Sequence, residues 1–231
     1  MAASSLPPVV GFSGGRALSG PPAALVGRVA SAVLAAGSPV FVGCSLGADR
    51  EVLSALLAAP SSPAVSASRV FAAFGPAGAG AASSSAVRAV CSLAPAGVPV
   101  LWWSGGGPAV PLRGRLAARS LALVRALAAD GGSLFVFPSG LPPAPFGPGP
   151  FPSCGGSGSW SSAAAAALLG VPVVVLAASW AGWRALPALP GPAGFLWSAV
   201  LIFGVPGFAW SPVVGSPCLP GFAPAGVALE A

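Results

Sequence analysis

Six short apolar runs punctuate the chain at fairly regular intervals. They are Val9 to Ser13, Val40 to Val42, Arg69 to Phe74, Val98 to Trp103, Leu134 to Phe137 and Val171 to Leu176. Between them lie segments with apolar residues at helical spacing. Val26, Val29, Val33 and Leu34 form one stripe in Ala23 to Ala36, after Pro21-Pro22 and before Gly37. Val52, Leu53, Leu56 and Leu57 form a second, which Pro60 to Pro63 stops. Ala81 to Leu93 predicts a third helix. Leu112 to Ala129 predicts a fourth, with Leu116, Leu123 and Leu127 near one face and Arg115, Arg119 and Arg125 on a more polar one. Ser161-Ser162 and the alanine run Ala163 to Ala167 predict a fifth.

Strands alternate with helices, and the strands are apolar throughout rather than at every second position. That pattern belongs to a parallel sheet covered on both faces, with right-handed crossovers. The expected fold is therefore α/β: a Rossmann-like open parallel sheet with helices on both faces, followed by an irregular Trp/Pro-rich C-terminal tail. The alternation ends at Ala177. The expected division is a domain over 1–177 and an appendage over 178–231 packed on it. In the appendage Trp180, Trp183, Trp197 and Trp210 stand among prolines, and only Gly194 to Phe203 suggests a helical period. The tryptophans are expected to pack rather than to stack on bases.

Three of the expected loops are rich in glycine and leave the carboxyl ends of strands. They are Ser13-Gly14-Gly15-Arg16, Gly43 to Asp49, and Cys154-Gly155-Gly156-Ser157-Gly158-Ser159-Trp160. Ligands of open α/β sheets bind at that edge. Strand, glycine-rich loop and helix N-terminus together favour a phosphate. The Pro/Gly segment Ser139 to Ser153 precedes the third loop and can cover the ligand as a lid.

Composition changes how charge and hydropathy are read. Only 6% of residues are charged, there are 33 glycines and 28 prolines, and mean hydropathy is +0.87. Lys, Asn, Gln, His, Thr and Tyr are absent, and Ile and Met occur once each. Every codon for those residues contains adenine, so the gene is nearly free of adenine on its coding strand. Hydropathy and charge are then partly by-products of a pressure on the nucleic acid. The acidic residues kept against it are Asp49, Glu51, Asp130 and Glu230. The net charge of +6 is carried by arginine alone. It fits either ordinary surface charge or a face that meets phosphate.

Cys44, Cys91, Cys154 and Cys218 are far apart, and with no histidine a metal site is not expected. Buried, reduced thiols in a cytoplasmic protein are the expectation. No signal-peptide pattern opens the chain. Gly and Pro break the uncharged stretch between Ser133 and Trp183, so a membrane span is not expected either.

The segments VGFSGGR (10–16), VGCSLGADREVL (42–53), RGRLAARSLALV (113–124), LFVFP (134–138), GGSGSW (155–160) and GVPVVVL (170–176) resemble the SLOG superfamily. This group of Rossmann-like proteins includes DprA/Smf-like proteins and LOG/lysine-decarboxylase-like phosphoribohydrolases. The resemblance spans about residues 8–177. It implies a pocket for a nucleotide or nucleotide-derived ligand and no separate cofactor. Ser13, Gly14, Gly15 and Arg16 would touch phosphate or ribose. Gly43, Gly47 and Asp49 would form the second loop, Arg119 would reach the anion, and Gly155, Gly156, Ser157, Gly158 and Ser159 would form the phosphate nest. LOG hydrolases carry a glutamate three residues beyond the GGxGT segment; counted from Ser159, which stands for the threonine, that position is Ser162, next to Ala163, and neither is acidic. The implied function is thus binding, with DprA-like single-stranded DNA binding and LOG-like hydrolysis of a nucleoside monophosphate as alternatives. Only Asp49 stands where a catalytic carboxylate could act, and a helix-start charge is its other reading. A homo-oligomer is compatible with this class of fold.

Overall fold

A computed structural model describes residues 6–177 and 186–212. Trp180, Trp183, Cys218 and Glu230 lie outside them. The elements run β1 (Val10–Gly14), α1 (Gly20–Ala35), β2 (Val40–Val42), α2 (Ala48–Ala58), α3 (Pro63–Ala67), β3 (Arg69–Phe71), α4 (Ser84–Cys91), β4 (Val100–Leu101), α5 (Leu112–Ala129), β5 (Ser133–Phe137), α6 (Gly158–Leu168), β6 (Val173–Leu176), β7 (Phe195–Ile202) and β8 (Val205–Pro212).

The strands form one sheet in the order β4-β3-β2-β1-β5-β6-β8-β7. The first six are parallel, while β8 pairs antiparallel with β6 and with β7. β1 lies between β2 and β5, with Val10 opposite Ser133 and Gly14 opposite Phe137. Strand order reverses there, so the switch point of the sheet lies between the carboxyl ends of β1 and β5.

Alternate side chains feed two cores, one on each face. Val10, Phe12, Val42, Val70, Phe135 and Phe137 pack with α1, α2, α3 and α4. Phe41, Phe71, Leu134, Val136, Val173 and Val175 pack with Leu123, Val124 and Leu127 of α5 and with Trp160, Ala163, Ala166 and Ala167 of α6. Small residues bring the layers close. A side chain at Gly11 would overlap Leu127, so α5 sits directly on β1 because position 11 is glycine.

The α/β fold class agrees with the sequence pattern, and α5 begins and ends where the periodicity places it. Three features differ. Pro63, expected to stop a helix, opens the short α3 at its first turn, where its missing N–H has no helical acceptor to satisfy. Gly194 to Phe203, with its suggestion of helical period, is largely the strand β7. It pairs with β8 across a two-residue turn in which Phe203 (φ 50°) and Gly204 (φ 76°) are both left-handed, the geometry of a type I′ hairpin. Arg115 and Arg119, assigned to the polar side of α5, are buried.

Candidate functional site

The carboxyl edge of the sheet carries all three glycine-rich loops, in two groups. The loops after β1 and β2 are packed against each other. Gly47 adopts φ 71°, and a side chain there would overlap the Gly15 carbonyl. The Ala48 amide donates to that carbonyl at 3.2 Å. Gly14 faces Ala48 with no room for a Cβ. The loops after β1 and β5 flank the switch point. The Gly15 amide donates to the Phe137 carbonyl at 3.0 Å, and Gly15 faces Ser139.

The third loop leads into α6, which packs on β1 and β5. Gly155 (φ 51°) and Gly156 (φ 84°) turn the chain into the helix. Ser157, at the N-cap, makes no side-chain cap hydrogen bond. Its hydroxyl instead lies 3.2 Å from the Ser159 hydroxyl. No acidic residue occupies the first turn. Gly156 and Gly158 are exposed, with open space where a side chain would stand. The α6 N-terminus therefore presents backbone N–H groups and the positive end of its dipole with no acidic side chain in its own first turn. The segment from Ser139 to Ser153 is tied to it. The buried Trp160 indole donates to the Gly140 carbonyl at 2.8 Å, Cys154 Sγ to the Ala144 carbonyl at 3.1 Å, and the Gly147 amide to the Ser153 carbonyl at 2.8 Å.

Asp49 and Arg119 do not face the crevice between β1 and β5 together. Arg119 Nη1 lies 3.3 Å from Asp49 Oδ2, and both side chains are buried. Arg119 Nη2 donates to Ser45 Oγ at 2.9 Å, and the Ser45 amide donates to Asp49 Oδ2 at 2.8 Å. A side chain at Gly43 would overlap the Arg119 guanidinium, so that glycine is what allows the arginine to cross the end of β2. The other two described carboxylates are also paired, Glu51 with Arg50 at 3.8 Å and Asp130 with Arg69 at 3.2 Å. Ser162, three residues beyond Ser159, is buried and its hydroxyl donates to the Gly158 carbonyl at 2.8 Å; Ala163 beside it is fully buried in the core beneath α6.

Arg115, expected on the polar face of α5, is held by backbone carbonyls instead. Its guanidinium donates to the Ala73 carbonyl at 3.2 Å and the Gly80 carbonyl at 2.9 Å, and lies 5.3 Å from the Trp103 ring. It thereby holds the loop after β3. Arg16 is exposed and makes no ion pair with the described residues. It borders a pocket of about 240 Å³ at the ends of β2 and β3, whose wall includes Cys44, Leu46, Phe74 and Leu116. Burial pushes the Cys44 thiol above its ordinary value, against the smaller opposing pull of Arg119. Among the described residues no cluster of His, Cys, Asp or Glu could hold a metal ion, and no helix is long and apolar enough to cross a membrane.

The fold is similar to that of DNA processing protein A (DprA) from Streptococcus pneumoniae. The TM-score is 0.50 at 18% identity, over 72% of this chain and 49% of that one, so this chain aligns with about half of DprA's length. DprA is a SLOG-superfamily protein, and the likeness is one of fold. No protein-family model and no curated protein matches the sequence.

Proposed function

We propose that the chain binds the phosphate of a nucleotide or nucleotide-derived ligand in the crevice between the ends of β1 and β5, and does so without hydrolysing it. The observation that carries this reading is the uncapped α6 N-terminus at the switch point, open at Gly156 and Gly158 and facing no acidic side chain of its own first turn. Backbone N–H groups at a helix start bind anions without a basic side chain. The Ser13 to Arg16 loop supplies the second wall, with Arg16 free to reach a phosphate oxygen. The ion pair of Asp49 and the buried serine at position 162 favour binding over catalysis, because neither position offers a carboxylate to the crevice. Thermal-shift titration with AMP and ADP-ribose tests the proposal. Both are expected to raise Tm with concentration, with no release of free base; an unchanged Tm at saturating ligand rejects it.

A second reading is single-stranded DNA binding, favoured by the fold shared with a DNA-processing protein. The exposed Arg16 and Arg113 border the same edge, Arg113 from the first turn of α5. An oligo-dT anisotropy titration tests it. Affinity is expected to fall with log salt and to weaken in Arg113→Ala; no binding at low salt rejects it.

A further inference from the structure

The pocket at the ends of β2 and β3 is a separate chamber. The Gly15–Gly47 contact divides it from the β1–β5 crevice, and none of Gly14, Gly15, Ser139 or the residues from Gly155 to Ser159 lines it. Its wall is mostly apolar: Leu46, Phe74, Leu112 and Leu116 contribute, and Leu46 and Leu112 are partly exposed, at 39% and 36%. A volume of about 240 Å³ accommodates a ring-sized body. The polar groups of the wall are already engaged. Ser45 Oγ accepts from Arg119, Cys44 Sγ accepts from the Ala73 amide at 3.2 Å, and Ser83 Oγ lies 2.7 Å from Ser85 Oγ. The chamber therefore has little with which to read the hydrogen-bonding edge of a base.

Its charge has one sign. Arg16 is the charged residue lining it, and it makes no ion pair with the described residues. Two helix starts open on it. Ala82 and Ser83 lead into α4, and Leu112 begins α5, whose Pro111 N-cap has no side-chain cap. Both dipoles present their positive ends there. We propose that this pocket binds a small amphipathic anion, with an apolar ring among Leu46, Phe74, Leu112 and Leu116 and a carboxylate or phosphate on Arg16. The site shares Arg16 with the crevice proposed above and otherwise uses none of its residues.

The test titrates the full chain with phenylacetate, phenyl phosphate and the neutral 2-phenylethanol. Binding is followed by NMR shifts and by the rate at which Cys44, on the pocket wall, is alkylated by N-ethylmaleimide. Both anions are expected to bind and to slow alkylation, with the alcohol at least about tenfold weaker, as loss of a charge-assisted hydrogen bond implies. Arg16→Ala is expected to reduce the anions to the level of the alcohol. Ala86→Phe, which fills the chamber, is expected to abolish all three; should that variant not fold, the Arg16→Ala comparison decides. Gly158→Glu, aimed at the crevice, is expected to leave phenylacetate binding unchanged. Equal binding of alcohol and anions, no effect of Arg16→Ala, loss of binding in Gly158→Glu, or no binding of any probe each overturns the proposal.

Discussion

Arg119 and Asp49 come from helices on opposite faces of the sheet and meet at 3.3 Å over the carboxyl end of β2. α5 packs beneath the sheet with α6, and α2 packs above it with α1. The pair joins the two layers at the edge where the glycine-rich loops lie, and Gly43 gives it passage. Because both groups are buried, removing either leaves the other uncompensated. Arg119→Ala and Asp49→Ala are each expected to cost about 3–5 kcal/mol in urea unfolding, and the double variant less than their sum. Gly43→Ala is expected to behave like Arg119→Ala, since its methyl would take the guanidinium's place. Additive single effects would show that the two groups do not act as a pair.

Ser162 supplies a second prediction. LOG hydrolases carry glutamate at the matching position, but here the side chain is buried and its hydroxyl donates to the Gly158 carbonyl at 2.8 Å. Ser162→Glu is expected to destabilise the chain by several kcal/mol through an unpaired buried carboxyl, and to release no base from AMP. A stable variant that hydrolyses AMP would mean that position 162 faces the ligand.

Trp160 makes a third. Its indole N–H is the link between α6 and Gly140 at the start of the 139–153 segment. Trp160→Phe keeps most of the ring's packing and removes that donor, leaving the Gly140 carbonyl to find water. A loss of about 1 kcal/mol is expected, together with faster proteolysis within 139–153. Unchanged cleavage would show that the segment is held elsewhere.

Cys44 sets the sign of an alkaline effect. Its thiol is held above the ordinary value of 9.0 by burial. In the unfolded chain the thiol ionises near that value, while in the folded chain it stays protonated. The contribution to stability is thus fully present below about pH 9 and is lost as pH rises through the folded value. Stability is expected to fall on the alkaline side, and Cys44→Ala to flatten that part of the profile. An identical alkaline slope in the variant would assign the effect to other groups.

Much of the fold was legible because the parallel strands are continuous apolar runs and α5 has a clear period. The site was legible only in part. Glycine marks where a chain can turn or be approached, but not what approaches it. Gly47 and Gly15 pack on each other, and Gly43 admits a side chain from α5. The arginines carried a signal that charge obscured: Arg115 and Arg119 fall eight and four residues before Leu123, so they stand on the stripe that continues to Leu127. β7 was hard to read because an apolar run of eight residues suits a buried helix or strand equally. Its turn is Phe203-Gly204 rather than Asn-Gly, so the usual hairpin signal is missing.

The most direct test of the proposed function is the response of Gly158→Glu to AMP. Position 158 is exposed, begins α6 and has space for a side chain. A glutamate there removes a helical glycine and complements the dipole, so the unliganded variant is expected to be up to about 1 kcal/mol more stable than the parent. It also places a carboxylate where the phosphate would sit. In side-by-side titrations AMP is expected to raise the Tm of the parent and to leave that of Gly158→Glu unchanged. Equal stabilisation of both proteins, or of neither, would contradict a phosphate site at the α6 N-terminus.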